Sequence, residues 1–303
     1  MAKLVAPLFG ISARGSLAGA ITYQRAKGLN VAKSIPTHRD SASPAQLAHR
    51  WLYSLGIALW NAMTPSERAV YQAMTPGTND TPMAAWLRVW LTTTPNLALG
   101  LPIEEGQGAV TRDLSAFATP GTIVGATWVR VASHYALSFD GIDDYLQVDP
   151  SAQLDFTTGP FSIVTRLTPQ GFDLNRNYLA RGTGGAARYT MGANTVGQGF
   201  AATATGGVGA DSRTSNAALA AGTPVLFAAN YDAGQYTMFI DGLQDNSVLS
   251  VGDPIPSNAG LFRLGHHPNA GLNWYEGIWH WIAIFNRELT AAEHREIHRS
   301  LPY

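Results

Sequence analysis

The stretch from residue 136 to residue 148, A-L-S-F-D-G-I-D-D-Y-L-Q-V, constrains the fold of this chain more than any other. Leu137 and Phe139 alternate with polar residues ahead of an Asp-Gly turn, and a second alternating run includes Leu146 and Val148. Such alternation is typical of a half-buried strand, and Asp-Gly is a common hairpin turn. By itself the stretch therefore predicts a β-hairpin with one buried face.

Other short motifs lie before and after this stretch in a fixed order. They cover residues 101–108, 125–128, 159–163, 236–242, 262–265 and 277–293. Together they resemble the strands and the closing helix of a laminin-G-like, concanavalin A-like jelly roll that extends over residues 96–303. The resemblance implies a mainly β domain, a two-sheet antiparallel sandwich of a class that usually binds ligands.

The charges divide the chain into two parts. Residues 1–95 carry nine Lys or Arg and three Asp or Glu, whereas residues 96–303 carry eleven Arg and eighteen Asp or Glu. This change of sign predicts a boundary near residue 95, with a basic anchoring module before it and the jelly-roll domain after it. A basic module of this kind docks on an acidic partner.

The composition excludes several classes of protein. Apolar residues make up 46% of the chain and charged residues 14%, so a disordered chain is excluded. No apolar run reaches about 18 residues, which predicts no membrane span and no membrane partner. The chain has no cysteine, so no disulfide can stabilise it.

The basic module is predicted to contain a hairpin followed by three helices. Residues 20–23 and 29–32 are the expected strands, with the turn between them at Lys27-Gly28. Each helix has a hydroxyl residue followed by proline at its start, which suits the N-cap and the first helical position. These starts are Ser43-Pro44, Thr64-Pro65 and Thr81-Pro82. The candidate anchoring residues are Arg25, Lys27, Lys33 and Arg39.

Two segments of this module follow a recognisable pattern. Residues 16–28 read S-L-A-G-A-I-T-Y-Q-R-A-K-G, and residues 60–71 read W-N-A-M-T-P-S-E-R-A-V-Y. They resemble the N-terminal segments of tailed-phage virion structural proteins, except that Ser16 replaces the first glycine of the pattern. The resemblance implies assembly into a particle, with the major capsid protein or another virion protein as partner. A homo-oligomer or lattice component is expected, on the particle surface.

Catalysis is not expected from this sequence. Sandwiches of this class include laminarinase-type glycoside hydrolases, which for a retaining mechanism need two carboxylates about 5–5.5 Å apart on an E-x-D-x-x-E strand, and no such pattern occurs here. His294 and His298 have a zinc-capable spacing, but Arg295 stands where the zinc-protease motif needs glutamate. Nucleic acid is not an expected partner either, because the basic residues are few.

Calcium is the candidate cofactor. Asp140, Asp143 and Asp144 place three carboxylates within five residues, and Ca²⁺ binds several oxygen ligands. The alternative is that these residues only form a tight turn, since Asp and Gly tolerate left-handed conformations.

A carbohydrate site is predicted from the aromatic and amide residues of one loop. The candidates are His266, His267, Asn269, Asn273, Trp274 and Tyr275. Aromatic rings can stack on sugar faces while the amides bond hydroxyl groups. The alternative is that Trp274 and Tyr275 cap the sandwich core, as buried aromatic residues commonly do.

These observations predict a phage virion structural protein that is anchored by its basic module and displays a lectin-like jelly roll. Head decoration or cementing, with weak glycan adhesion, is the first expectation. A tail or fibre protein that recognises host glycans is the alternative, and a glycan-degrading enzyme is the third. Many copies on one particle would convert weak glycan contacts into useful avidity.

Overall fold

The computed structural model describes most of the chain and divides it into two compact units, Met1–Ala42 and Ser43–Tyr303. In the first unit the backbone of residues 15–17, 21–26 and 29–34 is described. In the second unit the described residues are 43–157, 159–174, 176–183, 186–204, 210–249, 260–266 and 274–301. Among all of these residues, no helix combines the length and the apolar character that crossing a membrane requires.

The first unit contains a small antiparallel sheet. Its strands are β1 (Gly15–Leu17), β2 (Ile21–Ala26) and β3 (Leu29–Ser34), in the order β1-β2-β3. The pairing of β2 with β3 confirms the predicted hairpin. Of the candidate anchoring residues, Arg25 lies in β2 and Lys33 in β3, whereas Lys27 and Arg39 fall outside the described residues. Their anchoring role stays a prediction.

The second unit begins with three helices, and each helix starts at the residue that the sequence predicts. They are α1 (Pro44–Ala62), α2 (Pro65–Gln72) and α3 (Pro82–Thr93). Ser43, Thr64 and Thr81 are the N-caps, and each side-chain oxygen accepts a hydrogen bond from a backbone N–H in the first turn. These caps satisfy N–H groups that have no partner within a helix, so local chemistry alone fixes the helix starts.

Sixteen strands and one further helix follow in the described residues. The strands are β4 (Leu97–Leu101), β5 (Val110–Thr111), β6 (Gly121–Val124), β7 (Thr127–Val131), β8 (His134–Asp140), β9 (Tyr145–Val148), β10 (Phe161–Pro169), β11 (Arg176–Thr183), β12 (Ala186–Ala193), β13 (Gln198–Ala204), β14 (Ala210–Ala218), β15 (Val225–Asp232), β16 (Gln235–Ile240), β17 (Leu243–Leu249), β18 (Leu261–Leu264) and β19 (Glu276–Phe285). Helix α4 spans Ala291–Ser300.

The strands form two antiparallel sheets that confirm the predicted jelly-roll sandwich. Within the described residues the first sheet has the order β17-β16-β15-β10-β19-β8-β7, and β4 also pairs with β19. The second sheet has the order β14-β13-β12-β11-β18-β9-β6-β5. One core of buried apolar side chains from both sheets fills the space between them.

The structure corrects the hairpin prediction for residues 136–148. Strand β8 pairs with β7 and β19 in the first sheet, whereas β9 pairs with β6 and β18 in the second. The turn therefore carries the chain from one sheet to the other. Phe139 and Leu146 both lie in the core between the sheets. The apolar face of each strand is therefore buried against the opposite sheet, and the two strands do not lie side by side in one sheet.

Helices cover the outer face of the first sheet. Trp281 of β19 meets Trp51 of α1 edge to face, with ring centroids 5.8 Å apart. Leu55 of α1 and Ile297 of α4 belong to the same buried cluster. Helices α1, α3 and α4 thus share a hydrophobic core with the sandwich. The compact unit begins at Ser43, and the predicted boundary near residue 95 stays a prediction.

A bulge in β19 separates two tryptophans that strict alternation would place on one face. Arg166 of β10 pairs with Trp281 and Leu167 pairs with Trp279, so His280 is the extra residue. Trp279 consequently lies in the core between the sheets, and Trp281 lies in the core under the helices. The bulge lets one strand supply large side chains to both cores.

Candidate functional site

The turn from Asp140 to Asp144 lies at one end of the sandwich and is stabilised by its own carboxylates. Asp140 Oδ1 accepts a hydrogen bond of 2.8 Å from the backbone N–H of Ile142. Asp144 Oδ2 accepts one of 2.8 Å from the backbone N–H of Asp140. Both bonds are of the kind by which aspartate stabilises tight turns, so the turn interpretation of this motif has direct support.

The same turn gathers three carboxylates. One oxygen from each of Asp140, Asp143 and Asp144 lies within 4.8 Å of the others, and Asp144 is buried while the other two are exposed. Burial raises the pKa of Asp144, the N–H of Asp140 lowers it, and the charges of the other two aspartates raise it further. The cluster offers three of the six to eight oxygen ligands that Ca²⁺ takes, and calcium binding stays a prediction.

An aromatic group lies next to these carboxylates. The half-buried Trp274 ring stacks on His266 with centroids 3.6 Å apart and an angle of 15°. Tyr145, the residue after Asp144, has its ring centroid 6.3 Å from each of the other two rings. The Arg263 guanidinium lies 4.7 Å from the centroid of the Tyr145 ring. The structure therefore brings the predicted metal residues and two of the predicted carbohydrate residues to one place.

We call this group the Trp274 rim. Its members are Asp140, Asp143, Asp144, Tyr145, Gln147, Arg263, His266 and Trp274. A second group borders it, because Arg176 donates to the backbone oxygen of Trp274 at 2.8 Å and pairs with Asp173 and Glu276 at 2.6 and 3.1 Å. In the register of the two strands, Glu276 of β19 lies opposite Asp140 of β8, and this backbone pairing holds the second group beside the turn.

Comparison with known protein families supports the fold. Residues 140–293, just over half of the chain, match the family described as the concanavalin A-like lectin/glucanases superfamily. The chain belongs to this superfamily. The matched segment begins at the first aspartate of the Trp274 rim and ends in α4. No curated protein sequence matches the chain.

Solved structures share the concanavalin A-like architecture at low sequence identity. The binding domain of Paraclostridial Mosquitocidal Protein 1 has a TM-score of 0.56 and 14% identity, over 68% of this chain and 52% of that one. The botulinum neurotoxin serotype G binding domain gives 0.55 and 14%, over 67% and 51%. A Trypanosoma rangeli sialidase mutant gives 0.52 and 15%, over 68% and 33%. The chain spans about half the length of these toxin binding domains, and identities this low establish only the fold.

The predicted carbohydrate residues differ in burial within the concanavalin A-like fold. Tyr275 is fully buried in the sandwich core, and its hydroxyl donates to the backbone oxygen of Ile278 at 3.0 Å. Tyr275 therefore cannot offer its ring to a sugar, and we remove it from the site. His266 is 6% exposed and serves as a backing for Trp274. His267, Asn269 and Asn273 fall outside the described residues.

Sequence reasoning missed three members of the rim. Tyr145 and Gln147 alternate along β9 with the buried Leu146 and Val148, so they lie on the outer face of the second sheet. Arg263 occupies the equivalent outward position in β18 and donates to Gln147 Oε1 at 3.2 and 3.1 Å. Alternation could have indicated these outward positions, but only the sheet order places β18 beside β9.

The histidine pair of α4 does not form a metal site with both rings available. His294 is fully buried, stacks on Phe239 with centroids 3.8 Å apart, and bonds Asn230 Oδ1 at 2.9 Å. His298 lies near the carboxylate of Asp241, at 3.7 Å. The packing of α4 on the sheet therefore explains why His294 is buried, and its ring is not available to a metal ion.

A groove of about 580 Å³ lies between the helices and the start of α4. Leu59, Tyr71 and Trp86 are among its apolar residues, and Glu67 and Arg287 are among its charged ones. Arg287 pairs with Glu293, with N–O distances of 2.9 and 2.5 Å. No residue of the predicted sites lines this groove, and we assign no ligand to it.

Proposed function

We propose that this chain is a structural protein of a tailed-phage particle whose concanavalin A-like domain binds glycans weakly. The observation that carries the glycan part is the Trp274 rim. It combines a half-exposed indole that stacks on His266 with exposed carboxylate oxygens that can accept bonds from sugar hydroxyls. The apolar face of the indole can pack on the apolar face of a sugar ring, and the polar neighbours can form hydrogen bonds with the sugar hydroxyl groups.

Related architectures support glycan contact. The type C botulinum neurotoxin, which this chain resembles with a TM-score of 0.55 and 13% identity, depends on two ganglioside molecules for cell entry. We take that dependence as support for a carbohydrate ligand in general and not for any particular sugar. Binding without hydrolysis is part of the proposal, because the sequence lacks the carboxylate pattern of the superfamily's hydrolases.

The particle part of the proposal rests on the first unit. It forms a compact unit of its own and contains residues 16–28, the first of the two segments that resemble phage virion proteins. Its basic residues would dock on an acidic particle protein, leaving the acidic sandwich on the outside. A display of many copies would strengthen weak glycan contacts through avidity.

Replacing Trp274 by alanine is expected to weaken glycan binding at least tenfold, which corresponds to about 1.4 kcal/mol. The variant removes the ring that would lie against the sugar and leaves the core residue Tyr275 in place. Binding is measured on a glycan array with purified protein, with calcium and with a chelator. The matched control is Phe117→Ala, which removes an exposed aromatic side chain outside the rim. Equal binding by wild type and Trp274→Ala, or steady release of reducing ends from bound glycans, would contradict the proposal.

Deleting residues 1–40 is expected to release the protein from its particle while the second unit stays folded, because the compact unit begins at Ser43. The measurement is sedimentation of particles with full-length and shortened protein, together with quantitative mass spectrometry of purified particles. Retention of the shortened protein would refute the anchoring role. Hundreds of copies per particle would support decoration of the head, and a handful would favour the fibre or tail alternative.

A further inference from the structure

Among the described residues, the Trp274 rim and its border hold more acidic than basic side chains. Within the part of the chain that the structure describes, Asp140, Asp143 and Asp144 make no ion pair with Lys, Arg or His. Their oxygens lie within 4.8 Å of one another, and two of the three side chains are exposed. The three acidic groups precede Tyr145, whose ring centroid lies 6.3 Å from that of Trp274, so a ligand on Trp274 would meet their field.

Both arginines near the ring have their donors directed at protein groups. Arg263 donates through Nε and Nη2 to Gln147 Oε1, and its Nη1 lies 3.3 Å from His266 Nδ1. Arg176 donates to the Trp274 backbone oxygen and to the carboxylates of Asp173 and Glu276. Recognition of an anionic ligand by arginine needs its N–H groups to face that ligand, in the best case as a two-bond fork. Each guanidinium already makes three hydrogen bonds within the protein, which leaves it fewer of its five N–H groups for such a fork.

The border of the rim adds to the negative charge. Arg176 is shared between two carboxylates, and the side chains of Asp173 and Glu276 are 70% and 43% exposed. Among the described residues, the rim and its border thus hold five carboxylates and two guanidiniums. Like charges placed together disfavour a ligand of the same sign, which is a common source of specificity.

We infer that the Trp274 rim binds neutral or amino-bearing glycans and rejects glycans that end in sialic acid or carry sulfate. This inference rests on the proposed glycan-binding function and names the class of sugar for that site. It separates this chain from the ganglioside-dependent toxin of similar fold, since gangliosides are sialylated. Carboxylate oxygens without cation partners can accept hydrogen bonds from neutral hydroxyl or ammonium groups, but they repel a sugar carboxylate.

The test uses pairs of glycans that share one core and differ only in a terminal sialic acid. Full-length protein is titrated with each pair in a chelating buffer of low ionic strength, so that no metal ion compensates the carboxylates. The neutral member of a pair is expected to bind at least tenfold more tightly than the sialylated member. The difference is expected to shrink at high salt, because screening weakens repulsion between exposed charges.

The double variant Asp140→Asn, Asp143→Asn separates charge from shape. Asparagine keeps a carbonyl oxygen at position 140 for the turn bond to Ile142, and Asp144 with its buried bond to Asp140 stays unchanged. The variant is expected to reduce the preference for neutral glycans at least threefold. The control Asp149→Asn removes an exposed charge at the opposite end of β9 and is expected to leave the preference unchanged.

The outcomes distinguish this inference from the proposed function. Equal or tighter binding of the sialylated glycans, or an unchanged preference in the double variant, would overturn the inference while glycan binding stands. Binding of no glycan by wild type, with Trp274→Ala indistinguishable from it, would instead overturn the proposed function.

Discussion

The fragment 96–303, made without helices α1 to α3, is expected not to fold as a stable monomer. Without α1 and α3, the outer face of the first sheet would expose Val164, Leu226, Trp281 and Phe285, which are all fully or almost fully buried. Burial of one such side chain contributes about 1.5–3 kcal/mol. Four of them together match the 5–15 kcal/mol that stabilises a typical domain.

The matched control for this experiment is the fragment 43–303, which keeps the whole second unit. It is expected to give a single cooperative unfolding transition and a monomeric elution volume. The fragment 96–303 is expected to aggregate or to lack that transition in circular dichroism and size-exclusion chromatography. A cooperative, monomeric fragment 96–303 would show that residue 95 is a true domain boundary, as the charge pattern of the sequence predicts.

Acid is expected to destabilise the second unit through two buried histidines. Burial lowers the pKa of His294 to about 3, with a further contribution from the charge of Arg287. Burial also lowers the pKa of His280 to about 4, with contributions from Arg166 and His134. In both rings Nε2 bonds a neighbour, and Nδ1 has no hydrogen-bond partner among the described residues. Protonation would therefore bury a cation with an unsatisfied donor.

The sign of the effect follows from proton binding. The unfolded chain protonates these histidines near pH 6.5, and the folded chain resists until about pH 3 to 4, so stability falls as the pH drops below 6.5. At pH 5 the loss is roughly 2 kcal/mol for each histidine. His134 acts in the opposite direction, because its hydrogen bond to Glu104 raises its pKa. Its contribution is complete below pH 6.5 and is lost as the pH rises through the raised value.

Urea unfolding of the fragment 43–303 at pH 7 and pH 5 measures this effect. The variant His294→Gln is expected to be less stable than wild type at pH 7 but to lose about 2 kcal/mol less between pH 7 and pH 5. The control His49→Gln, in an exposed position of α1, is expected to keep the wild-type dependence. If the unfolding free energy of His294→Gln falls between pH 7 and pH 5 as much as that of wild type, His294 is not a source of the acid destabilisation.

Much of the local structure could be predicted because short-range chemistry decides it. The three caps Ser43, Thr64 and Thr81, each followed by proline, fixed the helix starts, since each side chain bonds an N–H only three residues further on. The ordered motifs of residues 159–163 and 236–242 marked strands β10 and β16 and the turn after β16, because alternation and Asp-Gly turns are also local signals.

The candidate site was only partly predictable. Asp144 and Trp274 were both found from residue type, but they were assigned to two separate sites because they are 130 positions apart in the chain. The sequence gives no reason to distinguish Tyr275 from Trp274 as a sugar-stacking residue. In the structure Tyr275 lies in the core and Trp274 lies on the rim. Successive residues of an extended segment point to opposite sides, and only the packed sandwich shows which side is buried.

The sequence by itself determined the class of fold, the helix starts, the strand pairing of the N-terminal hairpin and the reversal of charge along the chain. The tertiary structure alone decided that the Asp140–Asp144 turn joins two sheets, and that the helices share a core with the sandwich. The physical reason is the range of the interactions. Caps, turns and alternation act between residues a few positions apart, whereas partner strands and buried faces are selected by contacts between segments far apart in sequence.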